Sequence, residues 1–89
     1  MTRRAVARVA GSVQGVGYRW YVRGLAEAAG LAGSARNLAD GRVEVVLEGP
    51  EDDVDAVLSA LAGSDAPGTV RQVDARREPV QGMRDFTTA

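Results

Sequence analysis

Glycines, an aromatic and an arginine arrive together in the segment Gly11-Ser12-Val13-Gln14-Gly15-Val16-Gly17-Tyr18-Arg19, where a strand-like stretch hands over to a helix-like one. The grouping is suited to gripping an anion. Gly15 and Gly17 let the backbone turn sharply with no Cβ in the way, so the N–H groups of Gly15, Val16, Gly17 and Tyr18 can point into one concavity at a helix N-terminus. Arg19 adds a planar fork of donors that can meet a phosphoryl group in two parallel bonds. The chain contains no lysine: all 11 of its basic residues are arginines. An arginine at a helix start faces the positive end of the helix dipole, a conflict that a bound anion would relieve. Spacing alone also leaves a second reading open, in which the segment is a tight turn and nothing more.

The missing residues narrow the chemistry further. With no histidine and no cysteine, the chain cannot form phosphohistidine or phosphocysteine intermediates. The same absence excludes imidazole general catalysis and the usual metal sites built on histidine and cysteine. What is left is catalysis by binding, positioning and electrostatics.

Positioning such a loop requires a strand before it and a helix after it, and the pattern supplies both. Arg4 to Ser12 reads as a strand, with Ala7, Val9 and Gly11 on one face and Val6, Arg8 and Ala10 on the other. Tyr18, Val22, Leu25, Ala26 and Ala29 recur at helical spacing and predict a helix over Arg19 to Ala29, stopped by Gly30. Ser34 to Leu38 and Arg42 to Glu48 flank the turn Ala39-Asp40-Gly41, a hairpin signal. In the second of these strands Val43, Val45 and Leu47 point one way, and Arg42, Glu44 and Glu48 the other. A second helix is expected to begin at Pro50, where a missing N–H costs nothing, with Glu51, Asp52 and Asp53 favouring its dipole. Its buried stripe is Val54, Val57, Leu58 and Leu61, ending near Gly63. Thr69 to Arg77 predicts a further strand and Asp85 to Thr88 a short last one. The order βαββαβ with a terminal strand predicts a ferredoxin-like α/β sandwich: an antiparallel sheet of four or five strands, both helices on one face, the other face in solvent.

Eighty-nine residues suffice for one small domain spanning 1–89, and 45% hydrophobic with 26% charged residues is an ordinary globular composition. A net charge of -1 speaks against a general nucleic-acid binder. The start of the chain carries no apolar segment of the kind that directs export, which predicts a cytoplasmic protein without a membrane partner.

The run Gly-Ser-Val-Gln-Gly-Val-Gly-Tyr-Arg at 11–19 resembles the signature of acylphosphatases, and Arg36-Asn37-Leu38-Ala39-Asp40-Gly41-Arg42-Val43-Glu44-Val45 resembles that family's second block. The resemblance continues through Glu48-Gly49-Pro50. It departs at Ser12, where many members carry a basic residue, at Ser34 and Ala35, which replace an aromatic and a valine, and at the ending Phe86-Thr87-Thr88-Ala89. The resemblance implies a monomeric enzyme that needs no metal or cofactor. It would cleave the carboxyl–phosphate bond of a small acyl phosphate and release inorganic phosphate. In that reading the loop N–H groups and Arg19 hold the phosphoryl group while the Asn37 side-chain amide orients the attacking water. Asn37 taken alone reads first as a turn residue before a hairpin. The competing function is a non-catalytic anion-binding or regulatory domain of the same fold. Gln14 reads as a loop-shaping residue, Tyr18 as a core anchor below the loop and Arg23 as part of a solvated helix face. Arg36 is set aside because alternation turns it to the other side of the sheet. Trp20 and Tyr21 lie off the apolar stripe, and either could line the acyl side of the site or stand exposed.

Overall fold

The computed structural model describes residues 1–89. Its elements are β1 (Thr2–Ser12), α1 (Tyr18–Ala28), β2 (Ala32–Asn37), β3 (Val43–Pro50), α2 (Glu51–Ala60), β4 (Thr69–Glu78) and β5 (Phe86–Thr88). They build one five-stranded sheet in the order β4-β1-β3-β2-β5. β1 runs antiparallel to β3 and to β4, and β2 antiparallel to β3.

One strand departs from the expected antiparallel sheet. β5 pairs with β2 in parallel, Ser34 opposite Thr87. The reason is the route of the chain: β4 ends beside Arg4 at one edge, and residues 79–85 then cross that same end of the sheet to the far edge. β5 therefore reverses relative to β4 and enters alongside β2 in the same direction. The sheet is mixed.

Both helices cover one face. Ala5, Ala7, Val9, Ala35, Val43, Val45, Leu47 and Phe86 from the strands meet Tyr18, Val22, Ala26, Val54, Val57 and Leu61 in a single core. The period-2 strands and period-3.6 helices each deliver one apolar side to it. The helix starts differ slightly from expectation. α1 begins one residue earlier, at Tyr18, with Gly17 as its N-cap. Pro50 is the N-cap of α2 rather than its first helical residue: its ψ of 137° is extended, because the residue still belongs to β3. α2 closes at Ala60, short of Gly63. At the end of α1, Gly30 takes a φ of +71°, and the Leu31 N–H donates back to the Ala26 carbonyl at 2.8 Å. No helix is long and apolar enough to cross a membrane.

The opposite face carries the charged residues, among them Arg36 and Arg8 on either side of Glu44. It is not left wholly to solvent. Where residues 79–83 cross, Arg4 and Glu48 are buried beneath them. Glu48 points away from the helices as alternation requires, and the crossover then covers it.

Candidate active site

β1 ends in a ladder irregularity between Ala10 and Gly11, and the chain turns through 13–17 into α1. Gly15 and Gly17 adopt φ of +77° and +82°, left-handed values that glycine reaches without strain. A Cβ built on either would meet nothing within 4 Å, so conformation and not crowding calls for glycine here, and the space before the loop is open. α1 has no side-chain N-cap bond. The N–H groups of Gly15, Val16, Gly17 and Tyr18 donate to no backbone carbonyl, and the first helical bond from this turn runs from Tyr21 N to Gly17 O at 3.0 Å. Four consecutive donors thus stand at the positive end of a helix with no protein acceptor.

The loop is fixed from two sides. From below, the Tyr18 ring is buried and its hydroxyl donates to the Leu61 carbonyl at 2.7 Å. The Tyr21 hydroxyl donates to the Ala60 carbonyl at 2.8 Å. Two tyrosines of α1 thereby satisfy carbonyls at the C-terminal end of α2. Burial pushes both phenols above their ordinary range, each neighbouring charge adding to it. From the side, Gln14 Nε2 donates to the carbonyls of Leu38 at 2.9 Å and Arg42 at 3.0 Å. Gln14 therefore ties the loop before α1 to the β2–β3 hairpin. That hairpin is closed by Leu38 N to Arg42 O at 2.8 Å and by Asp40 accepting from the Arg42 N–H at 3.0 Å. The Arg42 guanidinium, first by its side-chain hydrogen bond, holds the Asp40 carboxyl below the usual carboxylate range.

Asn37 is the last residue of β2, opposite Val43, and it shares the helix-side face with the buried Ala35. Its side chain is exposed. Arg19 reaches it from α1 through a common acceptor. The Ala89 main-chain oxygen takes a hydrogen bond from Arg19 Nη1 and a second, at 3.3 Å, from the Asn37 N–H. Ala89 is itself held by donating to the Ala35 carbonyl at 3.1 Å. The two candidate residues from different elements are therefore brought to one spot. Ala89 has no sequence signal for this role, because its contribution is a main-chain oxygen. Arg36, as alternation predicts, pairs with Glu44 at 2.9 Å on the other face of the sheet.

The site is an open loop and not a cavity. The largest cavity, about 270 Å³, lies at the opposite end of the sheet against Arg3, Arg4, Glu51, Arg77 and Glu78.

The family model for acylphosphatase matches residues 5–88. An acylphosphatase of Saccharopolyspora erythraea is 49% identical over 84 residues, covering 93% of this chain and 88% of that protein. One from Frankia casuarinae is 53% identical over 84 residues, covering 93% and 94%. The crystal structure of acylphosphatase from Bacillus subtilis superimposes with a TM-score of 0.92 at 30% identity, over 100% of this chain and 99% of that one. The chain belongs to the acylphosphatase family.

Proposed function

We propose that the hydrolysis of acyl phosphates, the activity this family membership carries, is performed by the 15–19 segment together with Asn37. The N–H groups of Gly15, Val16, Gly17 and Tyr18 cradle the phosphoryl oxygens. Arg19 clamps the same group: Nη1 is held by Ala89, which orients the guanidinium and leaves its other N–H groups for the substrate. The Asn37 amide both accepts from and donates to a water without adding a charge that would repel the phosphate. That water attacks phosphorus, and the bond from phosphorus to the acyl oxygen breaks. The carboxylate leaves with the bonding pair, and the water's proton passes to the released phosphate or to solvent. A carboxylate whose conjugate acid has a pKa of about 4 needs no proton donor to depart, which suits a chain without histidine or cysteine. The supporting observation is the row of four unaccepted N–H groups beside Arg19, with Asn37 joined to Arg19 through one main-chain oxygen. The mechanism calls for no metal and no second chain, and we take the protein to act as a cytoplasmic monomer.

The test is phosphate release from benzoyl phosphate, with and without EDTA, beside p-nitrophenyl phosphate as a monoester. We expect chelator-insensitive turnover of the acyl phosphate, little turnover of the monoester, and competitive inhibition by inorganic phosphate. Activity lost to EDTA and restored by a divalent ion would overturn the metal-free mechanism. Phosphate binding without turnover would mark a non-catalytic domain instead.

A further inference from the structure

Four aromatic residues occur in the chain, and three of them serve the fold. Tyr18 and Phe86 are buried in the core, and Tyr21 is hydrogen-bonded to α2. Trp20 is 74% exposed on the outward side of α1 and makes no contribution to the core. It stands third in the helix, one residue beyond Arg19. Helical side chains lean toward the N-terminus and cover the preceding turn, which here is the anion loop. Val16 in that loop is itself 44% exposed. The indole is also braced: the Arg23 guanidinium lies 5.6 Å from its ring centroid, and Arg23 is held in turn by Glu27 at 3.3 Å. A braced aromatic loses little freedom when something rests on it. The rim across the loop is different in kind, because the 38–42 turn presents the Asp40–Arg42 ion pair, 2.7 Å apart.

We infer that Trp20 is the platform against which the acyl end of the substrate packs, and that it selects aryl and other planar acyl groups over small aliphatic ones. This rests on the phosphoryl end sitting in the 15–19 segment, which runs directly into Trp20 in the first turn of α1. The free face of the indole takes the acyl group, while Arg23 covers the other.

The experiment compares kcat/KM for benzoyl phosphate and for acetyl phosphate in wild type, Trp20→Ala and Trp20→Phe. Stacking of the usual strength predicts that Trp20→Ala lowers the benzoyl-to-acetyl ratio roughly three- to tenfold, mainly through KM, and that Trp20→Phe restores most of it. An unchanged ratio overturns the proposal, whether both rates fall together or neither moves. Because Trp20 is the only tryptophan, its emission gives a second reading: phenylphosphonate should perturb it more than inorganic phosphate does, and equal or absent responses count against the platform. Failure of the underlying site has a separate signature, an Arg19→Lys enzyme as active as wild type on both substrates.

Discussion

At one end of the sheet the N–H groups of Gln81, Gly82 and Met83 converge on the Glu48 carboxylate, each at 3.0 Å, and Arg4 Nη1 adds a charged donor at 2.8 Å. At the other end the N–H groups of Gly15 to Tyr18 line up beside Arg19 with no acceptor from the protein. The two sites share a parts list: consecutive backbone donors, a left-handed glycine, Gly82 at φ +76° or Gly15 at +77°, and one arginine. They differ in who supplies the anion. Where a neighbouring strand provides a carboxylate, the donors become a latch that pins the crossover to β3. Where none is provided, the same arrangement stays open to water and available to a ligand. Electrostatics at the filled end shows how strong such a cluster is. Burial alone would push the Glu48 carboxyl up, yet the three N–H groups and Arg4 outweigh it and hold the group below its ordinary value.

The sharpest way to break the comparison is to supply an anion at the open end. Asn37→Asp places a carboxylate near the bound phosphoryl group, where two unit charges ~4 Å apart at an effective dielectric of 20 repel by about 4 kcal/mol. We expect kcat to fall roughly a thousandfold with the melting temperature near wild type. An active, folded Asn37→Asp protein would return Asn37 to the status of a hairpin residue. Asn37→Ala should also disable turnover while phosphate still inhibits, since the water's anchor goes and the cradle stays.

Removing the anion from the filled end is the converse experiment. Glu48→Gln leaves Arg4 charged beneath the crossover and weakens three acceptor bonds, at a cost of about 3 kcal/mol. For a domain of this size that lowers Tm by roughly 12–24 °C. Turnover of acetyl phosphate by the variant, measured well below its melting point, should stay within about twofold of wild type. A large loss of activity in the still-folded variant would mean that the two ends are not separable.

Next in size comes Arg19→Lys, which exchanges a fork for a point charge. We expect kcat/KM to fall more than tenfold, over ~1.4 kcal/mol, without a change in thermal melting. Retention of a tenth or more of the activity would show that charge suffices and that two parallel bonds are not required.

The smallest effect is the acid limb of stability. Glu48 has its folded-state pKa depressed, so its stabilisation is present above the unfolded glutamate value of about 4.3 and is lost as pH falls through the folded value. The Tm of wild type should therefore drop faster below about pH 4.3 than that of Glu48→Gln. Parallel curves for the two proteins would remove Glu48 from the acid response.

The open site was more legible in the sequence than the latch, for a physical reason. Gly15, Gly17 and Arg19 lie within five positions of one another, and their work is local: left-handed turns, a helix start, a fork one residue inside it. Asn37 required the resemblance, since an asparagine before a hairpin reads first as turn chemistry. Helices and strands followed from periodicity, with ends shifted by one to three residues where Pro50 stays extended and α2 closes early. What could not be read was where the chain goes after β4. The parallel β5, the burial of Glu48 and the role of Ala89 all depend on the crossover at 79–85. Its donors are main-chain groups that any sequence would possess. Alternation placed Glu48 on the outward face correctly, but periodicity carries no information about what later covers a face.

The pairing of β5 with β2 also makes the clamp conditional on an edge strand. The loop and the first turn of α1 are made from neighbouring residues, whereas β5 is held by a short parallel ladder, from Gly33 opposite Phe86 to Ala35 opposite Thr88. Arg19 is oriented by the Ala89 main-chain oxygen, which is carried by that strand. Fraying of β5 from β2 would thus free the clamp while leaving the 15–18 turn in place, so that enzymatic activity reports the docking of the last strand.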